Sequence, residues 1–173
     1  GYFVDNNFLN DKQIDRIKKE LNEFDYYGPY KDKTYKIKEL KESNDEGNNR
    51  GYSSFYSEFS DTDISVDSQI GKLIINSYMA DIASTYFKSQ SYLVRIVAIY
   101  TTPKEEKYFS DKEIHGYAQN WHIDPTSFGS LKFFIYLNDV KHENGPHTYL
   151  TGTHEDGLKF YPNNIEDFYK PAF

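Results

Sequence analysis

The chain of 173 residues is long enough for one domain of ordinary size and too short for two. Its 20 Lys and Arg residues against 27 Asp and Glu residues give a formal net charge of −7, which disfavours nucleic acid and anionic membrane surfaces as partners. It contains no cysteine, which excludes disulfides, thiolate metal sites and cysteine nucleophiles. Any metal site must therefore use histidine and carboxylate ligands.

The composition favours a folded protein in the cytoplasm. Hydrophobic residues make up 38% of the chain and aromatic residues 18%, so a core rich in aromatic rings can form. The longest apolar stretch, residues 93–100, contains Arg95 and is too short to cross a bilayer, and the first residues lack the pattern of a signal peptide. We therefore expect no membrane segment, while the composition leaves the oligomeric state open.

The first predicted element is a surface helix that begins after Asn10. Asn10 can cap the helix, Gln13 can bond back to it, and Leu9 can pack on Ile14. Apolar residues then recur on one helix face, which predicts about four turns. These residues are Ile14, Ile17, Leu21 and Phe24.

The next 60 residues divide into an irregular part and a helical part. Residues 30–60 show no periodic pattern, and the polar stretch 42–49 predicts a mobile loop that could act as a lid. Apolar residues at a stride of four then predict one helix over residues 67–88, packed against a sheet.

Strands follow after residue 90. Residues 93–100 and 131–137 have the composition of strands, and a turn at 143–146 precedes a further strand at 147–151. Helices followed by antiparallel strands are typical of an α+β fold, with a sandwich or barrel flanked by helices. We expect one domain over residues 1–173, in which 1–90 are mainly helical with the mobile loop and 91–173 form the strands.

One short motif has the spacing of metal ligands. His122 and Asp124 are two residues apart, so on an extended segment both side chains point to the same face and can reach one ion. An imidazole and a carboxylate are two of the three ligands of the facial triad that holds non-haem Fe(II). His154 and Asp156 repeat this spacing in a predicted loop, whereas the first copy precedes an apolar strand, where pockets form.

The other histidines have simpler interpretations. His115 and His142 lie in polar segments and are expected at the solvated surface. His147 follows a Gly-Pro pair and is interpreted as the start of a strand.

Four sequence blocks follow one another in the second half of the chain: NWHIDP (120–125), LKFFIYLNDV (131–140), ENGP (143–146) and GTH (152–154). In this order and spacing they resemble the phytanoyl-CoA dioxygenase family. They correspond to its W-H-x-D element, the strand after it, a Gly-Pro turn and a G-T-H signature, and the first residues also resemble the usual N-terminus of the family. The similarity extends over nearly the whole chain.

The resemblance implies a double-stranded β-helix, which is a jelly-roll of cupin type, flanked by the N-terminal helices. It also implies an oxidoreductase that uses Fe(II), 2-oxoglutarate and O₂ to hydroxylate a small organic molecule. His122 and Asp124 match the first two metal ligands and are the predicted catalytic residues. Gln119 matches a position where some relatives place a glutamine against 2-oxoglutarate. Relatives that halogenate have a small residue in place of Asp124, so we expect oxygenation.

Three further polar residues lie on predicted strands. Lys132 and Tyr136 share one face of strand 131–137, where they either line the barrel interior and contact the cofactor or face solvent. Arg95 either pairs with an anion inside the barrel or extends from its edge into solvent.

The sequence departs from the family pattern at its C-terminal end. Family members have a third histidine ligand on a late strand and then an arginine that binds 2-oxoglutarate, but neither residue type follows His154 here. Either the C-terminal part of the barrel is missing from the 173 residues, which we expect, or the site has been lost. Alone, the 173 residues are expected to bind Fe(II) weakly and 2-oxoglutarate more weakly. The third ligand stays unassigned.

Two other functions fit the same pattern. One is a jelly-roll module that binds a small molecule or a glycan through its Tyr-rich surface without turnover. The other is a cupin-type metalloprotein that does not use 2-oxoglutarate.

Overall fold

The fold combines α-helices with an antiparallel sheet. A computed structural model of the chain describes residues 2–28, 33–45, 54–59, 63–101, 130–144 and 146–149. Within these ranges the elements are α1 (Asp11–Leu21), β1 (Tyr26–Tyr27), β2 (Thr34–Tyr35), α2 (Ile37–Asp45), β3 (Ser54–Glu58), α3 (Gln69–Ile74), α4 (Ser77–Phe87), β4 (Val97–Thr101) and one 3₁₀ turn at His142–Asn144. The predicted mixture of helices and antiparallel strands is confirmed, while closure into a jelly-roll stays a prediction.

The four strands form one sheet in the order β2-β1-β3-β4, and each neighbouring pair is antiparallel. The longest pairing joins β3 to β4, with Ser54 opposite Thr101 and Glu58 opposite Val97. The sheet thus links the two parts into which we divided the chain at residue 90.

The core lies between α2 and the sheet. Tyr26, Leu40 and Phe55 are almost fully buried, with Leu40 at 0% exposure, and Ile37 completes the cluster. The prediction of an irregular segment over residues 30–60 is therefore wrong, because this segment provides β2, α2 and β3. The sequence does not reveal α2 because only Ile37 and Leu40 in it are apolar.

The predicted mobile loop at residues 42–49 is wrong for its first four residues, which form the end of α2. The remaining residues, 46–49, lie outside the described part of the chain.

The start of α1 follows the prediction. The Asn10 side chain accepts a hydrogen bond from the Gln13 backbone N–H, and the Gln13 side chain accepts one from the Asn10 N–H, each at 3.0 Å. This capping box satisfies two backbone donors at the helix start. The helix is 11 residues long and ends at Leu21, so the predicted fourth turn is absent and Phe24 instead packs edge-on against Phe59.

The helix predicted over residues 67–88 is instead two helices, α3 and α4. The break lies at Asn76, whose side chain accepts hydrogen bonds from the backbone N–H groups of Tyr78 and Met79. Asparagine is a favourable cap because its carbonyl oxygen satisfies these donors, so a new helix starts here. Within the described part of the chain α3 packs against α1, and the predicted packing of this segment against a sheet stays a prediction.

A part-buried carboxylate contact joins α1 to α3. The two carboxylate oxygens of Glu20 accept the backbone N–H groups of Gln69 and Ile70 at 2.7 and 2.9 Å. Ser68 caps the same helix by accepting the Gly71 N–H at 2.9 Å. Since both carboxylate bonds are charge-assisted and lie at the positive end of a helix, Glu20 fixes how the two helices meet.

We expect Glu20→Ala to lower the free energy of unfolding by about 2 kcal/mol, because it leaves two part-buried N–H groups unsatisfied. Urea unfolding followed by circular dichroism measures this change. Asp15→Ala, at an exposed position of α1, is the matched control and should change the value by less than about 0.5 kcal/mol. Equal losses in the two variants would contradict the assigned role of Glu20.

Burial changes the ionisation of Tyr26. Its side chain is 1% exposed and its hydroxyl donates to the Leu21 carbonyl at 3.3 Å. Burial disfavours the phenolate and raises the pKa of Tyr26 from 10.0 to about 12.

This shift predicts a loss of stability at alkaline pH. From about pH 10 to about pH 12 the unfolded chain releases the Tyr26 proton while the folded protein retains it, so unfolding becomes easier as the pH rises. The expected slope from this residue is about 1.4 kcal/mol per pH unit. Tyr26→Phe should remove that slope, measured as the difference between wild-type and variant urea midpoints across this range. A difference between the urea midpoints of wild type and Tyr26→Phe that stays constant across this pH range would contradict the prediction.

The strands predicted in the second half of the chain are only partly present. β4 begins at Val97, so residues 93–96 are not part of the strand, and residues 131–137 have no strand assignment. A strand is defined by backbone pairing with a neighbouring strand, and the sheet found within the described ranges consists of β1 to β4. The 3₁₀ turn His142–Asn144 lies where a turn at 143–146 was predicted, and residues 147–149 form no strand. No helix in the described ranges is long and apolar enough to cross a membrane.

Candidate functional site

The predicted metal ligands lie outside the residues that the structure describes. This applies to His122 and Asp124, and also to Gln119 and His154. Among the described residues, no group of three or more His, Asp or Glu side chains is placed to hold a metal ion. The metal site at residues 122 and 124 therefore stays a prediction.

The described residues nearest in sequence to His122 and Asp124 are 130–144 and 146–149. These two segments meet in space. The backbone N–H of His147 donates a hydrogen bond to the Tyr136 hydroxyl at 3.0 Å. Between the two segments, a turn is closed by the Lys141 N–H bonding to the Asn144 side chain at 2.8 Å, and by the Asn144 N–H bonding to the Lys141 carbonyl. The chain therefore folds back and places residues 146–149 beside residues 134–136.

Aromatic rings line this contact. The His147 ring packs against those of Phe134 and Tyr149, with ring centroids 4.4 Å from each, and Phe134 also meets Tyr149 edge-on at 6.4 Å. On the far side, Tyr2 stacks on Tyr149 at 6.2 Å with an angle of 19° between the rings. We call these four residues, Tyr2, Tyr149, His147 and Phe134, the aromatic row.

The aromatic row is open to solvent. Phe134, Tyr149 and Tyr2 are 43%, 46% and 67% exposed, and Tyr136 beside them is 50% exposed. Large exposed aromatic side chains that lie together are common at binding sites, since a ligand can cover them.

The hydroxyl group of Tyr136 is held in place by one hydrogen bond and can still donate another. Its hydroxyl oxygen accepts the His147 N–H, and a phenol hydroxyl that accepts one bond can still donate its own proton. The residue can therefore hydrogen-bond to a carboxylate or hydroxyl oxygen.

The structure describes both cationic residues for which the sequence leaves two alternatives. Lys132 is exposed, as expected if it faces solvent, and its predicted contact with the cofactor stays a prediction. Arg95 forms an ion pair with Glu58 at the end of β3, and its side chain is 63% exposed. Arg95 therefore pairs with a carboxylate of the protein itself, at the surface.

The sequence analysis missed the role of His147. We interpreted it only as the start of a strand, whereas its ring stands at the centre of the aromatic row. A usable signal was present, because Phe134 and Tyr136, and likewise His147 and Tyr149, are spaced two residues apart. This is the same-face spacing that identified His122 and Asp124.

A second concave feature lies between α1 and α3. It is a cavity of about 190 Å³ with apolar walls from Leu9, Ile17 and Leu73 and polar groups from Gln13 and Lys72. Its volume is below the range of about 300–1,000 Å³ that is usual for small-molecule sites. It shares no residue with the aromatic row.

Comparison with known proteins establishes the family. The model of the phytanoyl-CoA dioxygenase (PhyH) family matches residues 1–173, the whole chain. The chain therefore belongs to the phytanoyl-CoA dioxygenase family, which confirms the resemblance of the four sequence blocks. The family has a cupin-like fold and oxygenase activity of the Fe(II)/2-oxoglutarate type. Searches of the curated proteins and of the solved structures found no match.

Proposed function

We propose that the protein is an Fe(II)- and 2-oxoglutarate-dependent dioxygenase that hydroxylates a small organic molecule in the cytoplasm. The observation that carries the proposal is the family match over the whole chain, which includes the segment with His122 and Asp124. Its partners are the small-molecule substrate and O₂.

The donor atoms of the motif suit the metal that the family implies. His122 offers an imidazole nitrogen and Asp124 a carboxylate oxygen, and mixed nitrogen and oxygen ligation with open positions is typical of non-haem Fe(II). When bound, the iron and 2-oxoglutarate supply the oxidation of a C–H bond by O₂. His122 and Asp124 would hold two positions on the metal, and the third protein ligand is unassigned.

The remaining predicted residues would bind and orient the cosubstrate. Gln119 can donate through its amide and Lys132 through its ammonium group, and both donors suit the carboxylates of 2-oxoglutarate. Tyr136 can donate through its hydroxyl, which the His147 N–H holds in place. Because Asp124 occupies a ligand position that is vacant in halogenating relatives, we propose hydroxylation as the outcome.

The proposed activity is tested by measuring succinate from 2-oxoglutarate in the natural full-length protein. We expect succinate when Fe(II) and O₂ are both present, and none when Zn²⁺ replaces the iron. Zn²⁺ accepts the same ligand types but has no redox chemistry, so it is a matched control. The absence of succinate with Fe(II), with the metal shown to be bound, would contradict the proposal.

The alternative is a module that binds a small molecule or a glycan without turnover. The exposed aromatic row favours this candidate, since such surfaces bind ligands in the absence of any metal. It predicts ligand binding together with no succinate formation, so the same assay separates the two functions.

A further inference from the structure

We propose that Asn144 is a positioning residue for 2-oxoglutarate, because its side chain closes the turn that brings the His147 N–H to the Tyr136 hydroxyl. Asn144 does not itself touch the cosubstrate and acts through these two residues. The inference rests on the proposed function, in which the Tyr136 hydroxyl donates its proton to a carboxylate of 2-oxoglutarate.

Two hydrogen bonds between the same pair of residues close this turn. The Lys141 N–H donates to the Asn144 side-chain oxygen at 2.8 Å, and the Asn144 N–H donates to the Lys141 carbonyl at 2.9 Å. The side chain thus satisfies the backbone donor at the start of the turn, as the third residue of a capping box does. Alanine at position 144 keeps the backbone bond and loses the side-chain bond, so it loosens the turn without removing it.

The turn sets the distance between Tyr136 and His147. Tyr136 precedes Lys141 and His147 follows Asn144, so the chain between them passes through the turn. At the end of this path the His147 N–H reaches the Tyr136 hydroxyl at 3.0 Å. Since Tyr136 is half exposed, this hydrogen bond, and not close packing, restrains its hydroxyl. The His147 ring also packs against Phe134, so we expect a loosened turn to weaken the restraint without separating the two segments.

The restraint on Tyr136 favours binding of a carboxylate in two ways. A side chain that is already held loses less conformational entropy when a ligand binds, so the binding is tighter. A hydroxyl that accepts one hydrogen bond is also polarised by it and donates its own proton more strongly. Asn144 therefore lowers the dissociation constant of 2-oxoglutarate without providing a contact.

Anaerobic titration of the natural full-length protein and Fe(II) with 2-oxoglutarate, followed by visible absorption, measures this dissociation constant. We expect Asn144→Ala to raise it about two- to tenfold, the range expected when one more side chain must be ordered on binding. Asn144→Asp should bind as the wild type does, because its carboxylate can still accept the Lys141 N–H. In a Tyr136→Phe background, Asn144→Ala should cause no further rise, since the two residues act in one chain of contacts.

Hydrogen exchange of the His147 backbone N–H gives a second readout that needs neither iron nor 2-oxoglutarate. Exchange should be faster in Asn144→Ala and in Tyr136→Phe, because each variant weakens or removes the hydrogen bond of this N–H. Asn138→Ala is the matched control for both measurements, since Asn138 is an exposed asparagine of the same segment outside the turn. It should change neither the dissociation constant nor the exchange rate.

The inference is overturned by equal dissociation constants in wild type and Asn144→Ala, by additive effects of Asn144→Ala and Tyr136→Phe, or by unchanged exchange of the His147 N–H in Asn144→Ala. Failure of the proposed function looks different. The wild type itself then binds no 2-oxoglutarate, which overturns the role of Asn144 toward the cosubstrate as well, while the exchange rates still report whether Asn144 positions His147.

Discussion

Asp124→Ala is expected to reduce succinate formation by the natural full-length protein by more than about 100-fold. Changing a residue that only supports a metal ligand typically costs about 10- to 100-fold, so removing a ligand should cost more. Alanine takes away the carboxylate oxygen and leaves His122 as the one assigned protein donor. The measurement is the rate of succinate release at saturating Fe(II) and 2-oxoglutarate.

The chain contains its own control for this substitution. Asp156 follows His154 at the same two-residue spacing, but this second copy corresponds to the G-T-H signature of the family and not to its metal ligands. Asp156→Ala should therefore retain most of the activity. A loss of activity in Asp156→Ala together with full activity in Asp124→Ala would show that the metal binds at the second copy, and would contradict its assignment to Asp124.

Gly71→Ala is expected to destabilise the protein by about 3 kcal/mol, although alanine normally favours a helix over glycine. A Cβ atom at Gly71 would overlap the Ser65 carbonyl oxygen and lie 2.8 Å from the Val66 Cα atom. Both contacts are with backbone, which cannot move aside as a flexible side chain can. The chain before α3 would have to shift, and with it the buried start of the helix that Glu20 contacts.

Urea unfolding measures the effect, and Lys72→Ala is the neighbouring control in the same helix. Lys72 is exposed, so its substitution should change the free energy of unfolding by less than about 0.5 kcal/mol. The sign of the Gly71 effect is the informative quantity. A stabilised Gly71→Ala protein would show that helix propensity outweighs the close approach of the backbone.

Local signals in the sequence were sufficient to predict some elements of the fold. Asn10 and Gln13 predict the start of α1 because the capping box uses only atoms within four consecutive residues. The strand composition near Val97 predicts β4 for a similar reason, as β-branched residues favour extended backbone.

Other elements depend on contacts that are remote in sequence. β1 and β2 have two residues each, too few to show an alternating pattern. They exist because β1 pairs with β2 on one side and with β3 on the other. The start of α3 is fixed by Glu20, which lies 49 residues before Gln69. No local pattern contains this information.

The candidate site shows the same division. The two-residue spacing of His122 and Asp124 is visible in the sequence because it needs only neighbouring residues. The aromatic row is visible only in part, through the two-residue spacing of His147 and Tyr149, because Tyr2 is far from Tyr149 in sequence and meets it only after folding. The predicted roles of Gln119, Lys132 and Tyr136 toward the cofactor stay predictions.

Anaerobic absorption spectroscopy of the natural full-length protein tests whether His122 holds the metal. Complexes of Fe(II) with 2-oxoglutarate in such sites show a visible charge-transfer band, which we expect in the wild type and in His154→Ala. His122→Ala should lack the band, since the imidazole ligand is removed. A band that is unchanged in His122→Ala and lost in His154→Ala would contradict the assignment of the metal site.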